Sequence, residues 1–356
     1  MGDSLLAITV IWGFIFIYAV MGTMDFGAGF WSMVYINRTK TNATDVANRY
    51  LSPTWEVTNV FIVAIVVALF SFFPRATFTL GTVLLIPGSI ILLLLSIRSG
   101  FLVFSHYASS FKYRRALVYI SGISGVLIPA FLIAVLPVSQ GGFIDIIDGT
   151  QQLNLAKVFS SPHVYSFIGF AISSSLFLSS LLLADYSKSS DEMEAYAVYR
   201  RDALITGPLS LLMAIFIMIT MQSEASWLYD KMMQFKPLLY GSVGLFVVAG
   251  IALLLPSQKG KGMPRLAVVS IILQYFLASY VYGRSHLPYV VYPNVTIENG
   301  FTHPDAFHSL FIVYIVGFAI LFPGFFYFWR LFMKDNKEYS KKHIKKPGQH
   351  LTGFFL

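Results

Sequence analysis

Three ionisable side chains fall inside or at the edge of long apolar runs, and their types could do chemistry: Asp25, Glu56 and Arg98. Asp25 lies about twenty residues into a first apolar run that continues through Phe30, Trp31 and Ile36. Glu56 follows Trp55 at the start of a second run, one turn before Asn59, and Arg98 lies about twenty residues into a third. An ionisable group within a lipid-spanning segment is costly unless paired or hydrated, so each is a functional candidate. Burial raises a carboxyl pKa and a neighbouring guanidinium lowers it, so two acids and a base at one depth can exchange protons near neutral pH. The chemistry this predicts is proton uptake. Each residue also has a structural alternative: Arg98 snorkelling to the interface, Glu56 favoured by a helix N-terminus, and Asp25 making a polar contact between helices.

The elements that must position them are membrane helices. Of 356 residues, 56% are hydrophobic and only 12% charged, about half the charged share of a soluble domain. A bilayer core about 30 Å thick needs about 20 apolar residues per helix. That ruler predicts an all-α polytopic membrane protein with nine transmembrane helices. The spans run from Leu5 to Ile36, Val57 to Phe73, Phe78 to Phe104, Ala116 to Leu136, His163 to Ala184, Ala203 to Met221, Pro237 to Leu255, Leu266 to Tyr282 and Phe307 to Met333. Nineteen of the 25 Lys and Arg residues fall in alternate connections and the tail, five in the other connections, and Arg98 inside a span. Basic residues concentrate in cytoplasmic loops, which places the N-terminus outside and the C-terminus in the cytoplasm. In this orientation Asp25, Glu56 and Arg98 reach the cytoplasmic third from three separate helices. Gly22 and Gly29 lie within about 60° of Asp25 on a helical wheel, a small-residue face that invites another helix. Asp25 is therefore expected to point into protein.

The short connections leave no room for a separate soluble domain, so residues 1–356 are read as one polytopic unit. The first helix, without a basic leader, is expected to be an uncleaved anchor. The net charge of +8 is spread among loops and forms no nucleic-acid stripe. With no cysteine, the chain can hold neither a disulfide nor a thiolate metal centre. Its seven histidines, His106, His163, His286, His303, His308, His343 and His350, do not pair across mid-membrane helices, so no metal site is expected. The outer loops Pro137 to Pro162 and Gly283 to Ala306, rich in Gly, Pro and aromatics, read either as folded lids or as solvated connectors.

These residues resemble a known family, the second subunit of bacterial cytochrome bd-type quinol oxidases. The first helix reads from Tyr18 through Gly22, Asp25 and Gly27 to Gly29, similar to the family's aspartate followed by two spaced glycines. The second opens Pro53-Thr54-Trp55-Glu56-Val57-Thr58-Asn59, and Arg98 matches an arginine near the end of the family's third helix. The resemblance implies two four-helix bundles plus one peripheral helix in a bacterial plasma membrane. It implies a heterodimer with a haem-bearing subunit I, which carries b-type haem, with or without d-type, oxidises quinol and reduces O2 to water. A small single-helix subunit is an optional third component. No catalytic residue is expected in this chain, which would support its partner and line a proton path through Glu56 and Asp25. Arg98, Trp55, Asn59 and Thr58 would support that path. Three positions depart from the family: Gly22 stands where many members have an acid, Glu56 where many have Asp, and Thr58 where Asn is common. The missing acid implies that water or another side chain bridges that point.

A secondary transporter with a buried Asp25, Glu56 and Arg98 ion site is the alternative. Transporters commonly show paired repeats and a midplane site, whereas here the charges gather near one face and the helix count is odd.

Overall fold

The computed structural model describes residues 2–38, 41–51, 55–107, 111–147, 149–257 and 260–343. In chain order the first half comprises α1 (Asp3–Tyr35), α2 (Ala43–Leu51), α3 (Trp55–Phe72), α4 (Pro74–Val83), α5 (Leu85–Tyr107), α6 (Phe111–Ile133), α7 (Val135–Ser139), β1 (Ile144–Ile147), β2 (Thr150–Leu153) and α8 (Leu155–Ser160). The second half comprises α9 (Pro162–Ser189), α10 (Met193–Glu224), α11 (Ser226–Met233), α12 (Lys236–Leu254), β3 (Pro256–Ser257), β4 (Gly260–Lys261), α13 (Pro264–His286), β5 (Tyr289–Val291), β6 (Val295–Thr296) and α14 (Pro304–His343). Helices dominate because hydrocarbon offers the backbone no hydrogen-bond partners, so each apolar run must satisfy its own N–H and C=O groups.

Among the described residues, seven helices are individually long and apolar enough to cross a bilayer, or eight crossings if α3 and α4 form one broken span. The difference from the nine expected spans arises around Phe73. Pro74 disfavours helical geometry in the residue before it, and Phe73 takes φ −132°, ψ 65°. The chain bends by 119° between α3 and α4 and breaks again at Leu84. The third predicted span, Phe78 to Phe104, therefore starts later: its helix is α5, which begins at Leu85 and runs to Tyr107.

α9 is the centre of the molecule. Two-thirds (67%) of its most apolar window is buried, against 39% or less for the other spans. It packs on α1, α6, α10 and α13, while α5 pairs with α6 and α12 with α13, and α14 touches only α1 and α3 among the larger helix contacts. Small residues permit the close approaches: a Cβ on Gly27 of α1 would lie 2.0 Å from Ser179 Oγ of α9. Ser161 caps α9 by accepting from Val164 N at 3.2 Å, with Pro162 at the first helical position.

At one end of the molecule the two long loops are folded. β1 and β2 pair antiparallel from Ile144–Leu153 to Ile147–Thr150, and β5 pairs with β6. Asn154 and Lys157 both reach Asp145, at 2.7 and 3.0 Å. Asp3 and His308, at the starts of α1 and α14, lie 3.2 Å apart at this end. The opposite end carries the basic connections and is tied together by an Arg49–Glu192 ion pair, by Lys188 Nζ on Gly262 O at 2.6 Å and by Arg265–Asp185 at 3.1 Å.

Candidate functional site

One face of α1 presents Ala7, Ile11, Phe14, Tyr18, Gly22, Asp25 and Gly29, all buried, at the three- and four-residue spacing of a helical stripe. Asp25 is the carboxylate of that stripe, and Arg98 of α5 is aimed at it. Arg98 is 2% exposed and Asp25 5%, so the arginine does not snorkel to the interface and the acid faces protein. Arg98 Nη2 donates to Asp25 Oδ1 at 3.1 Å and to the Asp25 carbonyl at 2.7 Å, and Nε approaches Oδ2 at 3.4 Å. Nη1 donates to the Ser121 carbonyl of α6 at 2.7 Å and lies 3.4 Å from Ser121 Oγ. The guanidinium therefore joins three helices and uses all its donor directions.

Glycine makes the space. A Cβ on Gly29 would lie 2.8 Å from Nη1 and 2.9 Å from Nη2, and one on Gly125 of α6 would lie 2.8 Å from Nη1. The Phe26 ring closes another side, with the guanidinium carbon 5.4 Å from its centroid. A buried ion pair of this kind adds little net stability, because desolvation offsets the attraction, but removing one partner costs about 3–5 kcal/mol. Its value is positional: it holds a carboxylate at a defined depth in low dielectric.

The three predicted charges are thus brought together in part. Asp25 and Arg98 meet; Trp55 and Glu56 form the first turn of α3, and their side chains lie outside the described residues. Thr58 is buried (1% exposed) and Asn59 half-buried, one turn further along α3, which packs on α1. A buried acid–base pair between α1 and α5, with a second acid opening the adjacent α3, is suited to hold and pass protons.

The profile of a protein family described as "Cytochrome bd terminal oxidase subunit II" matches residues 4–332. The chain belongs to that family. A "Putative cytochrome bd menaquinol oxidase subunit II" of Bacillus subtilis (strain 168) is 65% identical over 338 residues, 94% of this chain and 97% of the relative. A solved bd oxidase from Geobacillus thermodenitrificans has a chain of the same fold, with a TM-score of 0.78 and 33% identity, covering 93% of this chain and 99% of that one. The chain is therefore part of a cytochrome bd quinol oxidase complex, integral to the membrane.

Cytochrome bd oxidases carry haem, and the buried histidines of this subunit II do not fit an axial-ligand role. His163 places Nδ1 2.8 Å from Thr220 Oγ1 and Nε2 2.7 Å from Gln140 Oε1. His286 places Nδ1 2.8 Å from the Tyr289 carbonyl, with Nε2 3.5 Å from Ser139 Oγ. Each ring nitrogen already faces a polar partner, and among the described residues no three His, Asp or Glu side chains converge as metal ligands.

Sequence reasoning missed one buried acid of this bd subunit II. Asp202 is 5% exposed in α10, where Tyr35 of α1 donates to its Oδ2 and Arg201 Nη2 contacts Oδ1 at 3.0 Å. It stands one residue before the predicted span from Ala203 to Met221, so the hydropathy boundary assigned it to water. The adjacent Arg201, which also donates to Tyr35 OH at 3.1 Å, was the available signal.

Proposed function

We propose that this chain is the non-haem-ligating subunit of a membrane quinol oxidase. It braces a haem-bearing subunit I, which couples quinol oxidation to reduction of O2 to water, and it lines a proton path from the basic, cytoplasmic end. Glu56 takes up the proton and Asp25 receives it. Arg98 sets the charge balance at Asp25, and Trp55, Thr58 and Asn59 shape the route. The observation that carries this reading is the buried Asp25–Arg98 pair, 3.1 Å apart and held by three helices. Menaquinol is the proposed donor, after the name of the Bacillus subtilis relative.

The proposed topology has nine crossings, with α3 and α5 each counted as one, the N-terminus outside and the C-terminus in the cytoplasm of a bacterial plasma membrane. Two four-helix bundles, α1/α3/α5/α6 and α9/α10/α12/α13, stand beside a peripheral α14, in line with the helix pairings. The alternation of basic loops and the Asp3–His308 contact support it. The transporter reading is not favoured, given the family and charges gathered on the basic side of α1 and not at a midplane repeat interface.

Glu56→Gln in the purified complex tests the path. The expected result is a normal b-haem spectrum and intact assembly, with turnover reduced by about 10²-fold or more, the scale of a lost acid–base group. Wild-type turnover would refute the path, and loss of haem would assign Glu56 a structural role instead.

A further inference from the structure

Tyr18 stands on the α1 stripe, two turns nearer the N-terminus than Asp25. It is 9% exposed, and its hydroxyl is buried without a hydrogen-bond partner among the described residues. An orphaned buried hydroxyl is destabilising, so the position gains nothing from this oxygen unless something else bonds to it. Most of its neighbourhood is apolar: Phe14 and Phe26 of α1 and Phe61 of α3 belong to the same buried cluster. The ring lies over Gly22, where a Cβ would come within 3.9 Å of Tyr18 Cζ. The phenol thus reaches the level of Gly22, which lies between Tyr18 and Asp25 on the same stripe. Both the Asp25 and Arg98 charges act on it electrostatically.

We propose that Tyr18 is a positioning residue of the proton path, holding water at the inner side of Asp25 and extending the path past the ion pair toward the membrane centre. This rests on the proton-path reading above. A phenol accepts one hydrogen bond and donates another, and a buried water needs two to four polar partners. The Tyr18 hydroxyl and the Asp25 carboxylate supply them where the surrounding phenylalanines supply none. The proton moves between water and the Asp25 carboxylate, and Tyr18 remains neutral.

The test is Tyr18→Phe in the assembled oxidase, which deletes one oxygen and keeps the ring. The expected result is about a tenfold fall in turnover, a displaced pH profile of turnover, and unchanged haem content. Tyr18→Phe combined with Gly22→Ser should recover much of the loss, because the new hydroxyl sits beside the former phenol. A Cβ there would be crowded by the movable Phe26 ring alone, at 3.1 Å, the Tyr18 ring lying at ordinary contact distance. If Tyr18→Phe keeps wild-type turnover and pH profile while Glu56→Gln is impaired, the role of Tyr18 is refuted and the path stands. If both variants behave as wild type, both fall. Loss of assembly in Tyr18→Phe also overturns the proposal, since removing an orphaned hydroxyl should not destabilise the fold.

Discussion

Gly29→Ala perturbs the charge site without removing any charge. The added methyl would lie 2.8 and 2.9 Å from the two terminal nitrogens of Arg98, whereas ordinary contact begins near 3.5 Å. The guanidinium must retreat by about 0.7 Å, which carries hydrogen bonds now at 2.7 Å beyond the usual range of about 2.7–3.2 Å. Hydrogen bonds to a charged group contribute about 1.5–3 kcal/mol each. Weakening two of them costs ~3–4 kcal/mol, and replacing a helical glycine by alanine returns ~1 kcal/mol. The net destabilisation is ~2–3 kcal/mol. Gly13→Ala on the same helix is the control, because no heavy atom lies within 4 Å of its added Cβ; it should be neutral or stabilising by up to ~1 kcal/mol. Thermal unfolding of the purified complex, followed by haem absorbance, reads the difference as an apparent midpoint about 5 °C or more lower for Gly29→Ala. In an Arg98→Met background the methyl has nothing to displace, so the double-mutant cycle should give a coupling of ~1.5–3 kcal/mol. Equal midpoints for the two alanine variants, or a coupling near zero, would refute the argument that Gly29 exists to seat the guanidinium.

Other outcomes follow from the two ends of the molecule. Tyr35→Phe strips Asp202 of a donor in a buried site and should lower stability by ~1–3 kcal/mol, while turnover per haem stays unchanged; a matching fall in turnover would place Asp202 on a functional path. At the opposite end, hydrogen bonds from Asn154 and then Lys157 hold the exposed Asp145 carboxyl below the usual carboxylate range. A depressed folded-state pKa stabilises above the unfolded value of about 3.9 and is lost as pH falls through the folded value. Asp145→Asn should therefore reduce the unfolding midpoint at about pH 6 and match the wild type near pH 2. An equal deficit at both pH values would mean the bonds matter and the charge does not.

Hydropathy and loop charge marked the apolar helices because each of them must both exceed a bilayer's thickness and lack charge, conditions written locally in the chain. The same holds for Asp25 and Arg98, which stand out because a charge in an apolar run is itself an anomaly. What local pattern did not carry was direction. Pro74 announces a break, but the 119° turn that separates α3 from α4 depends on how Phe72 and Phe73 pack beneath Phe301 and Phe307. Asp202 escaped notice because a span boundary says nothing of what covers it, and Tyr35 reaches it from a helix 167 residues away.

The sequence alone determined that this chain lives in lipid, which loops are basic, and which few side chains are charged where charge is costly. Tertiary structure decided which of them meet. Arg98 could have turned to the interface, and only the cleft left by Gly29 and Gly125, with the Ser121 carbonyl beside it, makes the inward conformation the one that satisfies its donors. Nor does composition separate Tyr18 from the chain's other 19 tyrosines; its distinction is a buried hydroxyl without a hydrogen-bond partner among the described residues, on the stripe that carries Asp25. Hydropathy is additive along the chain, whereas desolvation and hydrogen-bond satisfaction depend on what neighbouring helices place around each atom.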